Sequence, residues 1–201
     1  MIIVTDYAGE NLGELLKRHK KFSPEEVKNY SKQIFSALIY LSENKITHRD
    51  LKPANILIKD GIIKLCDFGF ARKLSASTNF MNSLKGTPLY IAPEILDGRA
   101  YNHKVDIWSF GIIIYELFQG ITPFHAETLH QLKPKILSQR VNFPKNMPID
   151  MKTLIGGMLQ KNPINRFDWS DLKKQPFFED CILSEVNANN DGSFKKDKNS
   201  V

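Results

Sequence analysis

The sequence is short of cysteine and of long apolar runs, and each shortage narrows the class of protein. Its two cysteines, Cys66 and Cys181, are too far apart to suggest a disulfide framework or a metal-ligand motif. We therefore expect free thiols and a reducing, cytoplasmic location. The longest apolar stretch, residues 105–118, is interrupted by Asp106 and Glu116 and is too short to span a bilayer, so we expect no membrane span.

The charge of the chain does not point to a particular partner. Hydrophobic residues make up 42% of the 201 residues and charged residues 25%, which is typical of a globular protein with a real core. The net charge is +6, but the lysines are spread over predicted helices and loops, so we interpret them as solvated surface. Nucleic-acid binding is the weaker alternative, and we expect no nucleic-acid partner.

The first third of the chain predicts a strand and two helices. Residues 2–5 are apolar and β-branched, as in a strand, and Asn11 can cap the short helix that follows. Ser23, with proline next and Glu26 three residues on, predicts the start of a longer helix that reaches about Asn44.

A small hairpin follows. The apolar runs 56–58 and 62–65 are separated by a Lys-Asp-Gly turn, in which residues 60–61 supply the positive φ angles of a tight hairpin. Residues 70–87 are rich in serine and threonine and predict a long surface loop.

The rest of the chain is predicted to be helical. Residues 105–119 are apolar on nearly every side, which is typical of a helix at the centre of a domain, and Gly120 can end it. Asp150 can cap a helix that runs to about residue 159, and residues 169–178 predict a last helix or turn. Residues 181–201 are mostly Asn, Ser, Asp and Lys, and we expect a disordered polar tail.

The chemically informative motifs flank the hairpin. HRDLKPAN (residues 48–55) comes directly before it and DFG (residues 67–69) directly after it. Because a hairpin brings its flanks to the same end, we expect Asn55 and Asp67 to face a shared gap, where their oxygens suit magnesium carrying phosphates.

Two charged residues of the first motif suit phosphoryl transfer. Asp50 is close enough in sequence to Asn55 to accept a hydrogen bond from a hydroxyl that attacks the terminal phosphate, and Lys52 offers a mobile positive charge for the transferred group. Either motif alone arises easily by chance, whereas the ordered set does not.

Together with APE at residues 92–94, these motifs resemble the signature set of the C-terminal lobe of eukaryotic protein kinases. The resemblance covers residues 1–180 and implies a mainly α fold, a helical body with a small β-hairpin, in which the hinge and C-terminal lobe form a partial kinase domain. Lys52 and the GTPLY run (residues 86–90) are similar to the serine/threonine branch and not to the tyrosine branch.

The resemblance implies the roles of the motif residues. Asp50 would be the catalytic base, Lys52 would contact the γ-phosphate of ATP, and Asn55 and Asp67 would hold Mg²⁺. The implied cofactors are therefore ATP and Mg²⁺, and the implied substrate is a protein with a serine or threonine hydroxyl. A regulatory protein partner is also implied.

It also implies an adenine site. Thr5 falls at the gatekeeper position, residues from Asp6 to Ala8 at the hinge, and Leu57 beneath the ring. These hinge residues could instead be ordinary strand and turn residues, and Asn11 could touch ribose or only cap a helix.

Several structural roles follow from the same resemblance. Asp106 would anchor the catalytic loop, and Glu94 would form a buried ion pair with Arg166. Arg49 would pair with a phosphate on the polar loop, for which the candidates are the hydroxyls at positions 75, 77, 78 and 83.

The chain departs from the family pattern at its start. The 201 residues contain no Gly-x-Gly-x-x-Gly loop, strand lysine or helix glutamate of the N-terminal lobe, so we expect that lobe to be absent except for its last strand. One hypothesis is a part of a full kinase that binds ATP poorly and phosphorylates little by itself. The alternative is a non-catalytic kinase-like interaction module.

Within the kinases, the chain looks most like the Fused branch, near the Unc-51-like kinases, on the residues around 4–8, 66–72 and 85–90. Ala54 stands where many kinases that prefer basic peptides have glutamate, so we expect no strong arginine preference there. Pro134 would shorten a helix of the substrate lobe.

Overall fold

The structure, a computed structural model, describes residues 9–68, 72–73 and 88–179. Within this part of the chain, most elements are helices, and a small antiparallel sheet packs against two of them. The helices are α1 (Leu12–His19), α2 (Pro24–Glu43), α3 (Pro93–Leu96), α4 (Lys104–Gln119), α5 (Leu129–Ser138), α6 (Ile149–Met158) and α7 (Trp169–Lys173). The strands are β1 (Glu10–Asn11), β2 (Ile46–Thr47), β3 (Ile56–Lys59), β4 (Ile62–Leu65) and β5 (Arg72–Lys73), and 3-10 turns cover Pro53–Asn55 and Pro176–Phe178.

The side-chain caps predicted at Asn11 and Ser23 are confirmed. The Asn11 side chain accepts a hydrogen bond from the Glu14 backbone N–H at 2.9 Å and begins α1. At the start of α2, Ser23 Oγ accepts from the Glu26 N–H at 3.2 Å, while the Glu26 carboxylate accepts from the Ser23 N–H at 2.8 Å. These reciprocal bonds satisfy donors that a helix start would otherwise leave unpaired, so α2 has a defined first turn.

Helix α4 is the centre of the core. Nearly all of its side chains are buried, and Gly120, at φ 83°, ends it in the left-handed conformation that glycine adopts without strain. The helix packs against α2 and α6, and Gly111 allows a close approach, since an added Cβ there would lie 2.9 Å from Leu159 Cδ2. Each large apolar side chain buried here contributes roughly 1.5–3 kcal/mol.

The sheet is small and is fixed to α2. Its order is β1-β3-β4, all antiparallel, and Asp60 and Gly61 form the β3–β4 turn with φ angles of 52° and 77°. The Gln33 side chain of α2 donates to the Gly61 carbonyl and accepts from the Ile63 N–H, both at 3.0 Å. The predicted hairpin is therefore confirmed, and α2 sets its position. Strand β2 pairs with β5 in a second, two-stranded sheet.

Two helix predictions were wrong in detail. Helix α6 begins at Ile149, one residue before Asp150, whose Oδ1 accepts from the next N–H at 2.8 Å instead of capping from outside. Pro134 does not shorten α5, which continues to Ser138. Pro134 lies in the middle of this ten-residue helix, where its missing N–H removes a single bond while the turns before and after it remain.

Some predictions fall wholly or partly outside the described residues. The strand at 2–5 and the tail at 181–201 lie outside them, as does most of the polar loop at 70–87. Within that loop, Arg72–Lys73 forms β5 instead of irregular loop. No helix in the part that the structure describes has the length and apolar character to cross a membrane.

Candidate active site

The 48–55 loop is held at its start by the central helix. Asp106, buried near the start of α4, accepts from the His48 N–H at 2.7 Å and from the Arg49 N–H at 2.8 Å. Burial raises the pKa of Asp106, and the two backbone donors act in the opposite direction. Arg49 has a φ of 70°, an unfavourable conformation for a residue with a side chain, and these charge-assisted bonds hold it there.

Three predicted site residues meet in one hydrogen-bonded group. The Asp50 carboxylate accepts from Lys52 Nζ at 2.7 Å and from Asn55 Nδ2 at 3.1 Å. The same Asn55 amide also donates to the Asp50 backbone carbonyl at 2.8 Å. The Asp50 side chain is 16% exposed, so it is restrained but reachable from solvent. The loop thus presents a fixed carboxylate beside the Lys52 ammonium group.

The base of the hairpin joins the two motifs. The Cys66 N–H donates to the Asn55 carbonyl at 3.0 Å, and the Cys66 carbonyl lies 3.0 Å from His48 Nε2. Asp67 follows directly, with an exposed side chain and a φ of 61°. The expectation that the hairpin carries Asn55 and the Asp67 segment to the same end is therefore met by the backbone.

Cys66 itself is half-buried rather than fully buried. Burial raises the pKa of its thiol, and the neighbouring Asp67 acts in the same direction. Both effects disfavour the thiolate, so the geometry gives no support to a nucleophilic role.

The adenine-site residues are only partly described. Leu57 is half-buried in β3 and pairs with Asn11 of β1 and Lys64 of β4. The gatekeeper and hinge candidates Thr5, Asp6 and Ala8 lie outside the described residues, as do the candidate loop hydroxyls at 75, 77, 78 and 83.

The cation site predicted at this end would depend mainly on oxygens from two residues. Among the described residues, no three His, Cys, Asp or Glu side chains form a group that could hold a metal ion by themselves. Asn55 and Asp67 offer one amide and one carboxylate, a donor set that fits Mg²⁺, because this ion keeps several waters and binds phosphates along with few protein ligands.

A second set of contacts was not predicted. Tyr90 donates through its hydroxyl to Glu116 Oε2 at 2.7 Å, and Ser109 Oγ donates to the Tyr90 carbonyl at 2.8 Å. Burial raises the pKa of both Tyr90 and Glu116. The signal was present in the sequence, because Ser109 and Glu116 interrupt an otherwise apolar helix, but their partner could not be identified from spacing. These bonds attach the segment before α3 to α4.

The predicted ion pair between Glu94 and Arg166 is confirmed. Arg166 donates to the two carboxylate oxygens of Glu94 at 2.7 and 2.8 Å, and both residues are 1% exposed. Arg166 also donates to the carbonyls of Gln160 and Lys104 and lies over the Trp108 ring. The pair therefore connects α3, α4 and the loop before α7.

The chain is similar to known protein kinases. The family model described as the protein kinase domain matches residues 1–178. Serine/threonine-protein kinase 36 of Pongo abelii is 44% identical over 178 residues, which is 88% of this chain and 14% of that protein. Serine/threonine-protein kinase TIO of Arabidopsis thaliana is 42% identical over 187 residues, 92% of this chain and 14% of that protein.

A third relative is serine/threonine-protein kinase fused of Drosophila melanogaster, 38% identical over 190 residues, which cover 94% of this chain and 24% of that protein. The chain thus spans less than a quarter of the length of each of these relatives. The predicted resemblance to serine/threonine kinases, including fused, is confirmed. The chain belongs to the protein kinase family, in its serine/threonine branch.

Proposed function

We propose that this chain supplies the phosphoryl-transfer half of a serine/threonine kinase, which moves the γ-phosphate of ATP to protein hydroxyls. The observation that carries the proposal is the Asp50 carboxylate, which is bonded at once to Lys52 Nζ at 2.7 Å and to Asn55 Nδ2 at 3.1 Å. A carboxylate held in this way is placed to accept a proton, and the adjacent ammonium group offers charge to a phosphate.

The roles divide among four side chains. Asp50 is the catalytic base toward the substrate hydroxyl, and Lys52 contacts the γ-phosphate. Asn55 uses its amide nitrogen on Asp50, so its Oδ1 is the atom suited to a cation, and Asp67 supplies the carboxylate. When bound, Mg²⁺ would neutralise charge on the ATP phosphates.

The adenine site is assigned to the hinge segment and to β3. Leu57 would pack beneath the ring, and Thr5, Asp6 and Ala8 would supply the gatekeeper side chain and the backbone partners of the base. The half-burial of Leu57 is consistent with a surface that a ring can cover.

The proposed polypeptide is a C-terminal lobe with hinge, residues 1–180, followed by a polar tail at 181–201. The 201 residues contain no glycine-rich loop, and such loops normally cover the ATP phosphates. We therefore expect little activity from these residues by themselves and full activity when a glycine-rich loop and its strand lysine are supplied. A Fused-type role near the Unc-51-like kinases, with a regulatory protein partner in the cytoplasm, is the finer form of the proposal.

A kinase assay tests the proposal. The 201-residue chain and a longer polypeptide that adds a glycine-rich loop and strand lysine are each incubated with labelled ATP, Mg²⁺ and a serine-containing protein. The longer form is expected to transfer phosphate, and Asp50→Asn is expected to reduce its rate by about a hundredfold or more. Equal transfer by the longer form and its Asp50→Asn variant would refute the assigned base.

The second candidate is a kinase-like interaction module without catalysis. The connected group at Asp50 argues against it, because a binding module has no chemical need for a lysine and an amide aimed at one carboxylate. If the longer form transfers no phosphate yet binds a partner protein with unchanged affinity after Asp50→Asn, the module is the better description.

A further inference from the structure

A compact basic cluster lies at the end of α1, ahead of the HRDLKPAN motif in the sequence. Five consecutive residues are basic and exposed: Lys17, Arg18, His19, Lys20 and Lys21. The earlier interpretation of the lysines as evenly spread surface missed this group. We call these residues the α1 basic cluster.

Most of the charge in the α1 basic cluster is uncompensated. Arg18 pairs with Glu10, with N–O distances of 2.6 and 2.9 Å. In the part of the chain that the structure covers, Lys17, Lys20 and Lys21 form no ion pair.

Helix stabilisation explains only part of this charge. A basic residue in the last turn interacts favourably with the helix dipole, and that accounts for Lys17 and Arg18. Lys20 and Lys21 lie beyond the helix, and Lys20 has a φ of 67°, where glycine is the favoured residue. Lys20 therefore occupies a position where the backbone conformation favours glycine.

An open cleft adjoins the cluster. Its volume is about 290 Å³, and it is lined by Lys21, Phe22, Ser23, Pro24, Phe118 and Asn146. The Phe22 N–H donates to the Leu117 carbonyl at 2.9 Å, which fixes this segment to the end of α4. Gly120 lies directly against the Lys20 carbonyl, and the next residue, Ile121, is 60% exposed. The lining therefore includes two phenylalanines, which are 4% and 6% exposed, and the basic residue Lys21.

A further exposed lysine is next in sequence to Asn146, which lines the cleft. Asn146 follows Lys145, whose carbonyl accepts from Lys152 Nζ at 3.3 Å. Acidic residues are present as well: Glu25 is exposed near the cleft, while Glu26 is held in the capping box of α2. The charged residue that lines the cleft is Lys21, and exposed Glu25 follows the lining residue Pro24 in the sequence.

We propose that this cleft binds an acidic segment of a partner protein, with one aromatic or apolar side chain of that segment seated in the cleft, against the residues that line it. The acidic residues of the partner would lie on Lys17, Lys20 and Lys21, whose charge they complement. A concave opening with space for one anchor side chain suits a peptide, whereas the interruption by Glu25 disfavours a continuous polyanion such as nucleic acid or a flat anionic membrane.

The cleft of the proposed surface is separate from the Asp50 group, although α1 itself packs against Pro53–Asn55 and β3. Asp106 lies near the start of α4 and Phe118 near its end, twelve residues apart in the sequence. At 1.5 Å per residue this corresponds to about 18 Å along the helix axis. Binding can therefore be measured without ATP, and its outcome is independent of the catalytic proposal.

The test is fluorescence anisotropy with the full 201-residue chain and a labelled peptide in which one tryptophan is flanked by glutamates. Lys17→Glu/Lys20→Glu/Lys21→Glu is expected to weaken binding by about tenfold or more, and the loss should shrink as salt is raised. A peptide with alanine in place of tryptophan is also expected to bind about tenfold more weakly, since the anchor is lost.

One control variant separates the cluster from net charge, and a second variant tests the cleft itself. Lys64→Glu/Arg140→Glu/Lys174→Glu changes the net charge equally at exposed positions elsewhere, and it is expected to alter binding by less than about threefold. Asn146→Trp fills the cleft without changing charge and is expected to weaken binding. Equal losses from the two triple variants would overturn the proposal. Tighter binding to single-stranded RNA or phosphatidylserine vesicles than to the peptide would do the same.

Discussion

Removing the charge of Glu94 should lower the free energy of unfolding far more than removing the charge of an exposed carboxylate. Glu94→Gln keeps the side-chain volume, but its amide offers one oxygen where the carboxylate offers two. Arg166 donates to both of those oxygens, at 2.7 and 2.8 Å. In the variant, one guanidinium N–H therefore faces an amide N–H₂, and the arginine charge lacks its counter-ion.

The magnitude follows from the burial of the pair. Both residues are 1% exposed, so water does little to screen the uncompensated guanidinium. Breaking a buried pair on one side typically costs about 3–5 kcal/mol. Arg166 keeps its bonds to the carbonyls of Gln160 and Lys104, which favours the lower end, about 3 kcal/mol. For a domain of this size, that corresponds to a melting temperature lower by about 6–12 °C.

The assay is thermal and urea unfolding, followed by circular dichroism at 222 nm. The matched control is Glu10→Gln, which makes the same chemical change at the exposed pair with Arg18 and should leave the midpoints almost unchanged. If Glu94→Gln lowers the midpoint no more than Glu10→Gln does, the buried pair does not stabilise the fold as described.

Two further predictions concern α6 and the loop that follows it. Gly156→Ala should stabilise the protein by about 0.5–1 kcal/mol, because an added methyl meets no atom within 4 Å and helix propensity improves. Gly157→Ala should destabilise the protein, because the added methyl would overlap the Phe167 ring. If the urea midpoints of the Gly156→Ala and Gly157→Ala variants move in the same direction, this contrast is wrong. Burial lowers the pKa of Lys161 to about 8, below its usual value of 10.5. Between about pH 8 and pH 10.5 the unfolded state therefore binds more protons than the folded state. The free energy of unfolding should rise with pH over this range. Lys161→Met should remove that rise and the exposed Lys174→Met should keep it, and identical slopes in the two variants would exclude the effect.

Local signals predicted the helices and the hairpin well. The Ser23–Glu26 capping box, the Asp60–Gly61 turn and the C-terminal Gly120 each act within a few residues, and each occurs in the structure as predicted. Such features depend on backbone chemistry that the neighbouring sequence fully specifies. The same reasoning placed Asn55 and the residue before Asp67 at one end of the hairpin, where a backbone bond now joins them.

Contacts between distant segments were harder to predict. Strand β1 is two residues long, and Asn11 in it also caps α1, so no periodicity marks it as a strand. The pairing of Asn11 with Leu57 arises only when the chain folds back. The bond from Tyr90 to Glu116 joins residues 26 positions apart. The even spread inferred for the lysines does not describe residues 17–21, because an average over the chain conceals four lysine and arginine charges and a histidine in one short segment. Spacing alone cannot identify partners of this kind.

The geometry of Asp50 is determined by the helical body. Asp106 fixes the two residues before it, Asn55 holds its carbonyl and carboxylate, and His48 connects the loop to the Cys66 carbonyl. All of these partners lie between residues 48 and 106, within one packed unit around α4. These contacts, which restrain the proposed base, therefore belong to this unit, whereas phosphate binding in kinases normally also uses a glycine-rich loop, which the 201 residues do not contain. Positioning of the base and affinity for nucleotide are thus separable properties, because they depend on different groups of residues.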